Sequence, residues 1–489
     1  MINKESQVKH GFLYLTPVVI SNIIPLATMP VFTSILTKED FGILALAQAY
    51  AIFVNGLTNF GMTNVYDRNF FQYREKKEAS ELLYSTLCFI SCLFIVFLFL
   101  SYLFGPLASR FIIGSSEYAD LLFWSYFSST IVSLNSYFLT YFKNSEDAKS
   151  FVRYTLCNDI LGTSLSLLMI VYFRIGVRGL IWGQLLAGLV VFFVLAIRFL
   201  RRVPFSLNGT ILRDCLKLGF PLTPRIFLNV IASQFNKYMI RLLSTVGGVG
   251  IYSIGEKIAY IIFTYMIAIQ NVFSPQVYKR MFEFGDKGGE SIGRYLTPFL
   301  YISIAVALMI SLFSEEVIYI LTPESYHGAV DIIIVLSMFY SSMFFGKQPQ
   351  LMFARKTFMT SILSLFSIGL TIVLNIPFII KWGVIGAAWA TLVSGLISGT
   401  ITFIISQRYY EIKWEYGRIC MIFFVFFGSS LFLILLRNFN IEYPLRLSLK
   451  CLSIAIFVYL GVRFKIVTRD NFTMLRRGLY PISTVRARS

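Results

Sequence analysis

Gly176-Val177-Arg178-Gly179-Leu180-Ile181-Trp182 recurs 207 residues later as Gly383-Val384-Ile385-Gly386-Ala387-Ala388-Trp389, with Leu185 and Gly188 followed in the same register by Leu392 and Gly395. That offset also pairs Thr16, Pro17 and Asn22 with Thr223, Pro224 and Asn229, Gly162 with Gly369, and Lys149 and Phe151 with Lys356 and Phe358. With a one-residue slip, Gly42-Ile43 pairs with Gly250-Ile251, and Gln48 with Glu256. Agreement at one spacing across so much of the chain marks an internal duplication.

What is duplicated follows from composition. Of the 489 residues 56% are hydrophobic and only 14% charged, too apolar for a soluble chain of this length. Apolar runs of about 20 residues, enough for a hydrocarbon core of ~30 Å, follow one another along the sequence. They predict an all-α polytopic membrane protein with spans near 11–36, 41–65, 82–104, 118–141, 150–173, 179–199, 219–243, 249–274, 295–314, 328–346, 357–380, 384–406, 417–436 and 446–464. Fourteen helices result, and no connection is long enough for a soluble domain. The first run is too long for a signal-peptide core and is read as a retained span.

The offset then places six helices in each repeat. The expected organisation is an N-terminal bundle over 1–207, a second bundle over 208–410, two extra helices over 411–466 and a basic tail over 467–489. An even number of helices per repeat makes the two halves parallel, with a substrate site expected between them near the midplane. Assigning alternate connections to opposite sides puts 31 of the 43 lysines and arginines with the two termini and eight on the other side. That bias predicts both termini in the cytoplasm. The net charge of +18 lies in short clusters between apolar runs, which suits a membrane surface and implies no nucleic-acid partner.

Four cations fall inside spans: Arg225, Lys237, Lys257 and Lys450. An intramembrane ion usually faces a bundle interior or a water-filled path. Around Lys217-Leu218-Gly219-Phe220-Pro221-Leu222-Thr223-Pro224-Arg225, span 7 carries Arg225, Asn229, Ser233, Asn236 and Lys237 within an arc of roughly 120°. On span 8, Ser253, Glu256, Lys257, Tyr260, Thr264 and Asn271 share an arc of roughly 100°. Gln48, Asn55 and Asn59 on span 2 fall within roughly 40°. These stripes predict a hydrated cavity with Arg225, Lys237 and Lys257 as its cations and Asn22, Gln48, Asn55, Asn59, Asn229, Asn236, Tyr260 and Asn271 as polar lining. Two readings stand for each group: the amides also serve as interhelical glue, and the cations as ion-pair members or as side chains snorkelling to the surface. Glu256 and the isolated carboxylate Asp159 are the candidates for binding a coupling ion, H+ or Na+. Thr-Pro-x4-Asn in spans 1 and 7 frees a backbone carbonyl and invites a kink. Nucleotide-loop motifs are missing, His10 and His327 form no ligand pattern, and the six cysteines lack metal-type spacing, so neither a metal nor another cofactor is expected.

Pro30-Val31-Phe32-Thr33-Ser34-Ile35-Leu36-Thr37-Lys38-Glu39-Asp40-Phe41-Gly42 resembles the end of the first helix in bacterial polysaccharide flippases of the O-antigen (Wzx) type, within the multidrug/oligosaccharidyl-lipid/polysaccharide exporter superfamily. Gly61-Met62-Thr63-Asn64-Val65-Tyr66-Asp67-Arg68-Asn69-Phe70 is similar to the end of that family's span 2. Gly250-Ile251-Tyr252-Ser253, followed by Phe273-Ser274-Pro275, resembles its span 8. The resemblance implies a transporter, not an enzyme, that moves a polyprenyl-pyrophosphate-linked oligosaccharide from the inner to the outer leaflet of the bacterial inner membrane. It implies alternating access, an ion gradient as driving force, and membrane lipids, a polysaccharide polymerase and chain-length machinery as surroundings. On this view the amides meet the glycan, the cations meet the pyrophosphate, and the two extra helices shape a groove for the lipid tail. A drug/cation antiporter of the same superfamily stays open as an alternative, as does a membrane-embedded polymerase or ligase.

Overall fold

The computed structural model describes residues 4–73, 76–202, 205–346, 348–439 and 441–466. The basic tail beyond Ile466 lies outside the described residues. Among those described the chain forms helices and no strand, and it packs as two compact units.

The first unit comprises the described residues up to Ser253, together with Leu321–Pro323. It contains α1 (Lys4–Ile35), α2 (Lys38–Thr58), α3 (Met62–Asn69), α4 (Lys76–Leu103), α5 (Gly105–Ile112), α6 (Ala119–Asn144), α7 (Ala148–Leu167), α8 (Val177–Arg202), α9 (Gly209–Gly219), α10 (Thr223–Leu243) and the start of α11 (Val246–Phe284). The second unit comprises Ile254–Ile320 and the described residues from Glu324 on. It contains the rest of α11, then α12 (Gly288–Leu312), α13 (Ser314–Leu321), α14 (Ala329–Ser342), α15 (Pro349–Phe353), α16 (Thr357–Trp382), α17 (Val384–Tyr409), α18 (Tyr416–Asn438) and α19 (Tyr443–Arg463). The duplication is centred near residue 207, while the packing boundary falls at 253, because α9 and α10 pack with α3, α4 and α2.

Among the described residues, eleven helices are long and apolar enough to cross a membrane. The other three expected spans correspond to α1, whose apolar stretch Ile20–Ile35 is shorter than a full span, and to α6 and α10, whose polar residues lower their hydropathy. This is a multi-pass membrane protein. Five short helices among the described residues, α3, α5, α9, α13 and α15, were not anticipated from hydropathy, since each is too short for a span. They sit in the connections. In α9, Asn208 caps the first turn and also donates to Glu81 on α4 at 2.8 Å, while Ile211 and Cys215 are buried. In α3, Asp67 accepts from Lys143 and Asn144 of α6, each at 2.9 Å. Burial raises the Asp67 carboxyl, but these two partners outweigh it and hold the group below the ordinary carboxylate range.

The duplication is visible in the helices themselves. Adding 207 to both ends of α8 gives both ends of α17, and the eight-residue α5 recurs as the eight-residue α13. The single-turn helices at Ser116–Tyr118 and Glu324–Tyr326 repeat in the same way. Gly176 and Gly383 stand immediately before α8 and α17 with φ of +67° and +62°. A side chain is disfavoured in that backbone region, which explains why the reversal retains glycine in both copies. A second repeat-related pair, Gly42 and Gly250, meets across α2 and the start of α11. A Cβ on Gly42 would lie 1.9 Å from the Val246 carbonyl oxygen, and one on Gly250 would lie 2.0 Å from that of Lys38. Only glycine permits this approach.

Outside the repeat, α18 and α19 pack on α12, and α18 also packs on α14. Ser311 meets Ser430 at 2.9 Å, the Tyr301 hydroxyl donates to the Phe457 carbonyl at 3.0 Å, and the Tyr301 and Phe457 rings stack at 4.6 Å. Their outer faces expose Phe424, Leu435, Leu452, Tyr459 and Val462.

Candidate functional site

In the first unit, the three amides of α2 separate into different environments. The Asn55 amide nitrogen donates to the Ser129 carbonyl at 3.3 Å, to the Ser129 hydroxyl at 2.8 Å and to the Ser133 hydroxyl at 2.7 Å, all on α6. Asn59 closes the turn into α3: its Oδ1 accepts from the Thr63 amide at 3.2 Å and from Tyr137 at 3.3 Å. Gln48, one helical face with Asn55, is exposed although its neighbours from Gly42 to Ala47 are buried. Ser129 and Ser133 therefore complete the amide stripe from a helix that sequence periodicity did not single out.

Helix α10 packs on α2 through Phe227 against Phe53, ring centroids 5.0 Å apart, and through Val230 over Gly56. That contact leaves Asn229 and Ser233 exposed on the same helix. Asn236 donates to the Tyr252 hydroxyl at 2.9 Å, which ties α10 to the start of α11, and Lys237 donates to Gln234 at 3.1 Å. The backbone of Arg225 lies in the first turn of α10; its side chain lies outside the described residues.

Asp159 on α7 faces α1. Its carboxylate accepts from the Ser21 hydroxyl and, at 3.3 Å, from the Asn158 amide. Asn22, the next residue on α1, is half-buried. Both donors are neutral, so they orient the carboxylate without balancing its charge. The sequence signal for Ser21 was present, one residue before the Asn of the Thr-Pro-x4-Asn pattern.

The second unit carries Glu256, Lys257, Tyr260 and Asn271 on the single helix α11. Gly255 packs against Ile332 on one side of it. Lys257, Tyr260 and Asn271 are exposed and Glu256 is half-buried. The Tyr260 ring sits 5.1 Å from Phe263 and 5.9 Å from Tyr340. The remaining intramembrane cation, Lys450, is fully buried, with its ammonium 3.1 Å from Glu315 and 2.7 Å from Glu316. Sequence reading placed these groups separately, in a span and in a loop. Among the described residues no three His, Cys, Asp or Glu side chains gather as a metal ion would require.

The sequence profile of the family described as Polysaccharide biosynthesis protein matches residues 8–279. No curated protein matches the chain. Among solved structures, the fold is similar to the lipid II flippase MurJ in an inward closed conformation, with a TM-score of 0.67, 17% identity, and coverage of 93% of this chain and 100% of that one. It is also similar to an inward-facing multidrug resistance MATE family transporter of the MOP superfamily, with a TM-score of 0.61, 18% identity, and coverage of 81% and 97%. A third likeness is to MATE in complex with MaD3S, with a TM-score of 0.56, 18% identity, and coverage of 83% and 95%.

Proposed function

The chain belongs to the polysaccharide biosynthesis protein family, and from that premise we propose that it is a flippase carrying a polyprenyl-pyrophosphate-linked oligosaccharide, an O-antigen or related repeat unit, across the bacterial inner membrane. The observation that carries this reading is the family match, which spans the first unit and enters α11. The fold supports it, since the similarity to a lipid II flippase covers more of the chain than the similarity to the drug transporters. No bond is made or broken. Transport proceeds by alternating access, driven by H+ or Na+, with both termini cytoplasmic.

A lipid-linked glycan has three parts, and the chain offers chemistry for each. Exposed Gln48, Asn229, Tyr260 and Asn271 present donors and acceptors to sugar hydroxyls, as do Asn22 and Asn236. Arg225, Lys237 and Lys257 serve the pyrophosphate, and the exposed apolar faces of α18 and α19 serve the polyprenyl tail. The polymerase and chain-length machinery would act on the delivered unit.

Arg225 gives the sharpest test. A guanidinium offers planar, bidentate donors to phosphate oxygens and stays protonated in any cavity. Arg225→Ala is expected to abolish nearly all export, and Arg225→Lys to retain part of it, with membrane abundance unchanged. Surface polysaccharide and inner-leaflet precursor are measured together with protein level. Full export by a normally abundant Arg225→Ala protein removes the linker role, and normal export in cells lacking the protein overturns the flippase reading.

A further inference from the structure

A polar cavity of about 370 Å³ opens in the second unit, lined by Tyr319 from α13, Asp331 from α14, Arg437 and Asn438 from the end of α18, Ile441 and Glu442 from the following loop, and Tyr443 and Arg446 from α19. It is separate from the α11 stripe and belongs to none of the roles assigned above. The positive-inside distribution assigns this end of the helices to the outside. Its volume lies at the low end for small-molecule sites.

The walls are held rigidly. Arg437 pairs with Asp331, and Arg446 pairs with the fully buried Glu315 at 2.7 Å. Tyr443 donates to Glu316 at 3.2 Å, and Glu316 also meets the buried Lys450. Behind the cavity, Tyr319 stacks on His327 with ring centroids 4.0 Å apart.

The lining chemistry selects the occupant. Two carboxylates, Asp331 and Glu442, balance two guanidiniums, Arg437 and Arg446, and both guanidiniums are already paired with carboxylates. Such a wall has no spare positive charge to capture a free phosphate. It does combine planar donors, acceptors of both amide and carboxylate type, and two tyrosine rings. Sugar hydroxyls ask for this mixture, because each both donates and accepts.

We propose that this cavity is an outer docking site for a neutral sugar unit of the glycan, holding the oligosaccharide on the side where it is released. The proposal rests on the reading that the carried substrate is a lipid-linked glycan. Its test uses the purified full-length protein in nanodiscs and two probes: the oligosaccharide released by mild acid from the lipid-linked glycans of the producing cell, and inorganic pyrophosphate. Saturable binding of the oligosaccharide is expected, weakened about tenfold by Asn438→Ala and by Tyr319→Leu, as loss of one or two sugar contacts implies. Both residues are exposed, so the variants keep the fold, and a gel-filtration profile checks this. Displacement of the oligosaccharide by pyrophosphate overturns the proposal in favour of an anion site. It is also overturned if the oligosaccharide fails to bind, or if both variants bind it with unchanged affinity. Because the probe carries neither lipid nor pyrophosphate, these outcomes are read separately from the leaflet assay that tests the flippase reading.

Discussion

Gln48 and Asn55 lie on one face of α2 two turns apart, yet their surroundings assign them different work. Asn55 is committed to Ser129 and Ser133, whereas Gln48 is exposed. Asn55→Ala is expected to lower thermal stability in detergent by about 0.6–2 kcal/mol, the range for interhelical hydrogen bonds in membranes. Gln48→Ala should change stability by less than about 0.5 kcal/mol, as for other exposed positions, and should reduce glycan transport instead. Equal stability losses in the two variants would return Gln48 to the role of glue. The coupling question belongs to this scale as well. Asp159 is oriented by two neutral donors, Ser21 and Asn158, and Glu256 lies in the polar stripe of α11. The double variant Asp159→Asn, Glu256→Gln is expected to lose gradient-dependent transport in vesicles, and intact gradient dependence would exclude both carboxylates as the ion site.

Among elements, α18 and α19 have the most specific anchorage. Lys450 is 2% exposed and Glu315 fully buried, so their contact at 3.1 Å replaces water for both ions. Removing Lys450 leaves buried Glu315 with Arg446 as its cation and Glu316 with the Tyr443 hydroxyl, so a buried network is broken in part, at a cost of up to about 3–5 kcal/mol. Lys450→Met should therefore lower the unfolding midpoint markedly and loosen α19, read as greater protease sensitivity at the loop before Tyr443. An unchanged midpoint would place the anchorage in the apolar and hydroxyl contacts with α12 instead. The pairing was partly legible: an intramembrane lysine near one end of the last span and an acidic connection after span 9 ask for each other. What hydropathy could not supply was their proximity, since Lys450 and Glu315 are 135 residues apart.

At the scale of the molecule, the prediction is topological. With the native cysteines replaced, single cysteines at the exposed positions Glu117 and Glu324 should react with a reagent confined to the outside, and cysteines at exposed Lys149 and Lys287 should be spared. Labelling at Lys149 or Lys287 would invert the assignment. Labelling of one position in each pair would mean that a helix had been miscounted between them. Helices α6 and α10 are where such a miscount would arise, because polar groups that bind a neighbour or line a cavity lower the same hydropathy that identifies a span.

The sequence by itself determined the class, the helix order and the duplication. Each depends on a local or periodic quantity: apolar runs of membrane length, and glycines such as Gly176 and Gly383 whose backbone conformation excludes a side chain. It also showed that α2, α10 and α11 carry polar faces, since a 3.6-residue period is readable without neighbours. Only the tertiary structure decided what those faces meet. Asn55 and Asn59 turn to α6 and α3, Asp159 turns to Ser21, and Lys450 turns to Glu315, because these partners are brought together by helix packing across long stretches of chain. A stripe's direction is written into one helix, whereas its partner is set by the packing of another.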